Sequence, residues 1–358
     1  MMKIALDATP LTVPTGGIRR YTEELSRALA ENFPEEEFWL LSDQPFDAPG
    51  PRPANLKLGR GPNNLIERRW WLWGLRREIS RRGIDLFHGT DFAVPYLSAG
   101  PSVMTIHDLS PWMEESWHVA SSRVRKRTPR LLRRGLATMI ITPSEAVRRQ
   151  AIERFRLEPS RIAATPLAAS AIFRPVISER AGRPYFLYVG TLEPRKNVTL
   201  LIKVWREIRR TPPIDLVLVG RRRSDFPEIL AEPGVCLAGS LADEELPKLY
   251  SGALACLYPS CYEGFGLPVL EAMQCGALVI ASRDPAITEV AGDAAILCDV
   301  TDQRAWAEAL DSVIERPEQF RGLREKAIAR AAGFSWNKTA KLTREVYAQA
   351  AERFRRKA

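Results

Sequence analysis

Two glutamates, Glu263 and Glu271, bracket the stretch EGFGLPVLE, with a Gly-Phe-Gly turn and a proline between them. Carboxylates accept hydrogen bonds from hydroxyls, so one acid on a loop and a second further along could each hold a polyol. Pro268 suits the first turn of a helix, where a missing N–H costs nothing. The N–H groups of Gly266 and Leu267 would stay unpaired there, a setting that attracts phosphate. A helix-capping glutamate beside an exposed one would produce the same letters. Arg195 and Lys196, in GTLEPRKN at residues 190–197, offer two fixed positive charges next to a helix start. A diphosphate leaving group gathers negative charge as its bond to carbon breaks, and paired cations stabilise that state more than the ground state. A solvated Arg-Lys cap is the plain alternative. His107 ends the run VMTI and is followed by Asp108, while Gly16 and Gly17 precede a helical pattern. No Asp-x-Asp occurs, so a metal bridging a nucleotide diphosphate has no obvious ligands and the cations must come from side chains.

Such groups need strand ends and helix starts to hold them, and the chain alternates the two. The first half reads as strands at residues 3–8, 38–42, 86–88, 103–107 and 139–142, with helices at 18–30, 65–79 and 145–155. Residues 43–64 read as a loop rich in proline, glycine and polar residues, and Trp70, Trp71 and Trp73 as a face packed on the sheet. After an aperiodic stretch near 174–183, strands are expected at 185–189, 216–219, 235–237, 255–258 and 279–281. Helices are expected at 198–209, 243–252, 268–274, 302–316, 319–332 and 334–354. Apolar strands separated by helices predict parallel sheets covered on both faces. Two such sheets in tandem place ligands at the carboxyl ends of strands, in a crevice between domains.

Composition bounds the alternatives. At 358 residues two domains are expected. The hydrophobic and charged fractions, 45% and 27%, are those of a soluble globular chain. Five cysteines in the second half include no Cys-x-x-Cys pair, which speaks against zinc or a disulfide framework and for a reducing cytoplasm. The N-terminus does not read as a signal peptide, and no apolar run approaches the roughly 20 residues that span a bilayer. The net charge of +9 is concentrated: residues 121–134 carry seven basic residues and no acid, and residues 68–82 six arginines around three tryptophans. That implies an anionic partner, a membrane lipid or a phosphorylated substrate, or else solvated helix faces. Nucleic acid is disfavoured, because no helix-turn-helix, RNP or zinc-finger signature accompanies the charge.

These residues carry a resemblance. The blocks TGGIRRYTEELSRAL, FHGTDF, TIHDLSP, TPSEAVRR, YFLYVGTLEPRKN, EGFGLPVLEAM and EVAGDA resemble those of the family 4 retaining glycosyltransferases, in particular the mannosyltransferase-B-like group. The resemblance implies an α/β GT-B fold, two Rossmann-like parallel-sheet domains facing across a crevice, with a C-terminal helix crossing back to the N-terminal domain. Residues 1–173 with 336–358 would form the acceptor side, and 174–335 would bind the nucleotide sugar. Glu271 would then accept from the ribose hydroxyls, and Glu263 from the transferred hexose, helped by the backbone of Gly264, Phe265, Gly266 and Leu267. Lys196 with Arg195 would hold the diphosphate, Gly16 and Gly17 would let the first-domain backbone close onto it, and His107 would face the sugar near the reacting carbon. The base would lie against residues 239–241. Thr191 stands where similar sequences often have Arg, and Arg19 where they often have glycine.

The implied function is metal-independent, cofactor-free transfer of a hexose with retention, by front-side displacement. GDP-mannose is the favoured donor and UDP-glucose the alternative; the acceptor is a saccharide or polyprenyl-linked saccharide, and the place is the cytoplasm, peripheral on the inner membrane face. A catalytically silent sugar-nucleotide-binding subunit and a GT-B epimerase are the competing readings. A silent scaffold has no use for Glu263, Glu271, Lys196 and His107 together, and an epimerase needs more acids and histidines in the crevice.

Overall fold

A computed structural model of the chain describes residues 1–13, 16–47, 52–59, 61–62, 64–114, 117, 122–177, 182–208, 213–229 and 232–356. The chain divides into two compact units. The first comprises Met1–Met113, His118–Leu167 and Ser335–Ala358, the second Glu114–Trp117 and Ala168–Phe334. The expected linker near residue 174 lies inside the second unit. Phe173 is buried there against the edge of Tyr250, ring centroids 6.0 Å apart, and Gln274 Nε2 donates to the carbonyls of Ser170 (3.0 Å) and Phe173 (2.7 Å).

The first unit holds strands β1 (Lys3–Asp7), β2 (Glu37–Leu41), β3 (Leu56–Leu58), β4 (Leu86–Gly89), β5 (Ser102–Thr105), β6 (Met139–Thr142) and β7 (Ile162–Ala164). They form one parallel sheet in the order β3-β2-β1-β4-β5-β6-β7. Its helices are α1 (Gly17–Asn32), α2 (Leu75–Arg82), α3 (Ser122–Arg133) and α4 (Glu145–Phe155). Two expectations need correcting, and one tract to which no element was assigned gains a helix. The loop at 43–64 contains β3, whose three residues are too few to show a period. The helix at 65–79 is a turn, then a π-helical turn at Trp70–Gly74, then α2, and of its tryptophans Trp70 is buried while Trp73 is exposed. The basic tract at 121–134 folds as α3 over its described part, with Pro129 inside the helix.

The second unit holds β8 (Tyr185–Val189), β9 (Asp215–Val219), β10 (Val235–Gly239), β11 (Cys256–Tyr258), β12 (Val279–Ser282) and β13 (Ile296–Cys298), all parallel, in the order β10-β9-β8-β11-β12-β13. Helices α5 (Val198–Glu207), α6 (Leu246–Gly252), α7 (Leu267–Gln274), α8 (Pro285–Ala291), α9 (Gln303–Glu315) and α10 (Arg321–Ala331) belong to it. In both sheets the chain starts centrally, builds one wing, and returns to build the other. The switch points are β1/β4 and β8/β11, where loops part in opposite directions and leave room at the carboxyl ends of the strands.

The last helix, α11 (Trp336–Arg355), belongs to the first unit, as the expected return of the C-terminus requires. Thr339 Oγ1 donates to Pro166 O (2.6 Å), Arg344 Nε is 2.8 Å from both carboxylate oxygens of Glu36, and Tyr347 Oη meets His88 Nδ1 at 2.7 Å. Among the described residues no helix is long and apolar enough to cross a membrane.

Candidate functional site

In the second unit the switch point assembles the site. The loops after β8 and after β11 leave neighbouring strands, so Lys196 and Glu263 meet although 67 positions separate them in sequence. The loops are stitched together by their backbones: Cys261 N donates to Arg195 O (2.8 Å), and Arg195 Nη1 to Tyr262 O (2.7 Å). Asn197, with φ of +50°, turns the chain from the Pro194–Lys196 turn into α5 and so drives the Lys196 side chain inward.

Lys196 Nζ donates to Glu263 Oε1 and to Tyr258 Oη (2.9 Å), and lies 5.1 Å from the centroid of the Tyr258 ring. Arg195 Nη1 is 3.4 Å from the other oxygen of Glu263, and its Nη2 is 2.8 Å from Glu193. Glu193 also pairs with Arg223 (3.0 Å), which is tied to Asp225 (Nη2 to Oδ2, 2.8 Å) and donates to Trp117 O (2.6 Å). The Trp117 ring stacks on Tyr262, centroids 6.1 Å apart and 15° from parallel. Burying charge is costly unless it is paired, and here Glu263 and Glu193 each have two cations. Burial pushes the Glu263 carboxyl up, but Lys196 and Arg195 outweigh it and hold it down at about 2, so Glu263 is ionised. Burial lowers Lys196 while Glu263 opposes the shift. The result is a fixed array in which Lys196, Arg195 and Arg223 alternate with Glu263, Glu193 and Asp225, able to offer cations to a bound anion and carboxylate oxygens to hydroxyls.

The backbone of Glu263 is held as well. Its N–H donates to Asp284 Oδ2 (3.3 Å), and the other oxygen of Asp284 caps α8 by accepting from Ala286 N (2.9 Å) and Ile287 N (3.1 Å). Gly264 to Leu267 continue the loop into α7. Gly266, at φ of +99°, is its N-cap, and the Phe265 ring is buried edge-on to Phe334, centroids 5.9 Å apart. Among the described residues no acceptor meets the N–H groups of Gly266 or Leu267. Glu271 lies apart from the Lys196 cluster in its bonding. It is buried within α7, and Tyr250 Oη donates to its Oε2 (3.0 Å).

In the first unit, His107 follows β5 and Gly16–Gly17 open α1. Gly16, at φ of +134°, accepts from Arg20 N (3.0 Å). His107 Nε2 lies 2.7 Å from Thr90 O, which can only accept, so Nε2 carries a proton and donates it there. The ring sits edge-on to Tyr21 of α1, centroids 4.9 Å apart. Asp108 serves its own turn, accepting from Ser110 N (3.0 Å) and Oγ (2.7 Å). Behind lies a buried relay in which Tyr347 Oη, His88, Thr105 Oγ1 and Tyr21 Oη follow at 2.7, 2.8 and 2.9 Å.

Sequence reasoning missed Glu193, Tyr258, Arg223 and Asp284. Asp284 before Pro285 carries a helix-start signature. Glu193 and Tyr258 flank the motifs, whereas Arg223 in a run of three arginines carries no signal.

Residues 15–170 match the family described as Glycosyltransferase Family 4, and residues 170–332 the family described as Glycosyl transferases group 1. The O-antigen chain mannosyltransferase B of Escherichia coli is 33% identical, over 97% of this chain and 99% of its own. Sucrose-phosphate synthase of Thermosynechococcus elongatus shares the fold at a TM-score of 0.75 and 23% identity, covering 98% of this chain and 99% of that one. HepE of Anabaena, solved in complex with UDP and glucose, shares it at 0.73 and 17%, covering 97% and 100%.

Proposed function

The chain belongs to the family 4 glycosyltransferases, in their mannosyltransferase-like group, and from that premise we propose that it moves mannose from GDP-mannose onto a saccharide or lipid-linked saccharide. The observation that carries this reading is the Lys196–Glu263–Arg195 cluster at the ends of β8 and β11. The mannosyltransferase of Escherichia coli and the UDP complex of the Anabaena protein support a nucleotide-sugar donor. UDP-glucose is the second donor to try.

Each side chain has its step. Lys196 and Arg195 neutralise the diphosphate as the glycosidic bond to phosphate lengthens, so no metal or cofactor is required in this reading. Glu263, ionised at neutral pH, accepts from hexose hydroxyls, with the Gly264–Leu267 backbone beside it, and Glu271 from the ribose. In the first unit Gly16 and Gly17 leave the backbone of their turn bare for the diphosphate, and His107 serves the transferred sugar. Retention by front-side displacement is supported by the state of Glu263. A carboxylate committed to Lys196 and Arg195 and held down at about 2 is a weak nucleophile. The departing phosphate oxygen then takes the proton of the acceptor hydroxyl. The acceptor is met at an anionic membrane surface, on the inner face, to which the basic first half is suited.

The test is nucleotide released from GDP-mannose and from UDP-glucose by the pure protein, with and without saccharide acceptors. Release from GDP-mannose that acceptor accelerates is the expected result. Losing a charged hydrogen bond of about 1.5–3 kcal/mol makes Glu263→Gln roughly 10- to 150-fold slower in turnover. Glu271→Ala is expected to raise KM chiefly. Wild-type turnover in Glu263→Gln, or a covalent glycosyl-enzyme adduct, overturns the mechanism.

A further inference from the structure

We infer that the face formed by Leu65, Ile66 and Trp73, with the arginines around it, is the part of this protein that inserts into an anionic lipid bilayer. The inference deepens the membrane part of the reading above, and it singles out one of the two basic tracts.

Leu65 is 78% exposed, Ile66 59% and Trp73 43%, three large apolar side chains in nine residues. Most other exposed apolar side chains of the first unit are scattered singly, which is ordinary for a soluble surface. The three lie along one winding of the backbone: Arg69 N donates to Ile66 O (3.1 Å) and Trp73 N to Arg69 O (2.8 Å). Beyond Trp73 the face continues into a surface depression of about 470 Å³ lined by Glu67, Trp73, Arg76, Arg77, Ser80 and Arg81, with Glu78 at its base.

The face cannot turn inward. Trp70, Leu75 and Ile79, on the opposite side of the same segment, are locked into a core cluster with Ala5, Leu41, Ile84 and Phe87. Upstream, Asn64 Oδ1 caps the turn by accepting from Ile66 N (3.1 Å) and Glu67 N (3.0 Å). The π-helical turn at Trp70–Gly74 lets Trp70 point into the core and Trp73 out of it.

Its charge fits anionic headgroups. Residues 64–82 hold six arginines and two glutamates. Glu78 is buried under Arg81 and Arg82, and Glu67 lies 3.8 Å from Arg77, so among the described residues Arg68, Arg69 and Arg76 have no acid partner. Exposed tryptophan and branched aliphatics flanked by arginine match an interface of acyl chains below and phosphate above. Helix α3 is as basic, but its Leu131 and Leu132 are buried and none of its large apolar side chains is exposed. It can attract a charged surface and has nothing to insert.

Flotation of the full chain with vesicles of phosphatidylcholine alone, or mixed with phosphatidylglycerol, at low and high salt, tests this. Binding to the anionic vesicles with a salt-resistant fraction is expected. Ile66→Ser with Trp73→Ser is expected to remove that fraction and weaken binding at least about tenfold, and Arg68→Gln with Arg76→Gln roughly fivefold per charge at low salt. Arg123→Gln with Lys126→Gln, on α3, retains the salt-resistant fraction. Absence of binding, unchanged binding by the Ile66/Trp73 variant, or loss of the salt-resistant fraction in the α3 variant overturns the inference. Vesicle binding needs no donor and nucleotide release needs no vesicle, so failure of the enzymatic reading and failure of this one are read separately.

Discussion

Lys196 and Glu263 are a buried ion pair, and such pairs contribute little net stability. Removing one partner of such a pair typically costs about 3–5 kcal/mol, whereas replacing both by apolar groups is often neutral or better. Lys196→Met is therefore expected to lower the thermal midpoint of the second unit, because Arg195 is shared with Glu193 and lies 3.4 Å from Glu263. Lys196→Met combined with Glu263→Met should recover it, and both variants should lose turnover. Calorimetry and nucleotide release on the same samples decide this, and an unchanged midpoint in the single variant would contradict the burial of the pair. The acid side has a definite sign. The folded Glu263 carboxyl sits at about 2, below its ordinary 4.5, so the stability it contributes is present above pH 4.5 and is lost as pH falls through about 2.

At the scale of elements, α8 and the Glu263 loop share one carboxylate. Asp284 caps the helix with one oxygen and fixes the Glu263 N–H with the other. Burial, with Glu263 nearby, pushes it up to about 6 despite the N–H groups it accepts. A folded value above the unfolded 3.8 means the protonated form is favoured by folding. Its contribution is full below pH 3.8 and is lost as pH rises through about 6. Relative to Asp284→Asn, wild type should therefore gain stability between pH 7 and pH 4, as urea midpoints would register; a constant difference would argue against the raised value. At neutral pH the variant is expected to slow turnover, by at most the roughly 10- to 150-fold that losing a charge-assisted hydrogen bond of about 1.5–3 kcal/mol from the Glu263 backbone costs.

At the scale of the whole molecule, each unit carries its own parallel sheet and core, and the last helix is counted with the first unit. Glu36 is buried at 5% exposure and its carboxylate is gripped by Arg344 of α11. Arg344→Ala strands that charge, so about 3–5 kcal/mol should be lost from the first unit alone. Calorimetry should then show one transition moving down while the other stays. Acid should act on the same unit through His88, whose burial lowers it to about 3 from 6.5. Its neutral ring supports folding fully above pH 6.5, and that support is lost as pH falls through about 3. A first-unit midpoint that does not fall between pH 7 and pH 5 would contradict this.

The sequence by itself determined the alternation of apolar strands and amphipathic helices, and hence two parallel-sheet units. That pattern is local, set by side-chain period and by punctuation such as Gly266-Leu267-Pro268. It also picked out Glu263, Lys196 and Arg195, because their motifs are contiguous letters. What only the tertiary structure decided is who meets whom. Lys196 reaches Glu263 because β8 and β11 are neighbours at the point where strand order reverses; Arg223 joins them from a loop that carries no motif, and Asp284 from a helix start whose signature says nothing of its partner. Three-residue strands such as β3 and β13 exist only because a longer neighbour offers hydrogen bonds. Trp70 is buried and Trp73 exposed because packing against Phe87 and Leu41, rather than residue type, chooses the side of a helix that water sees.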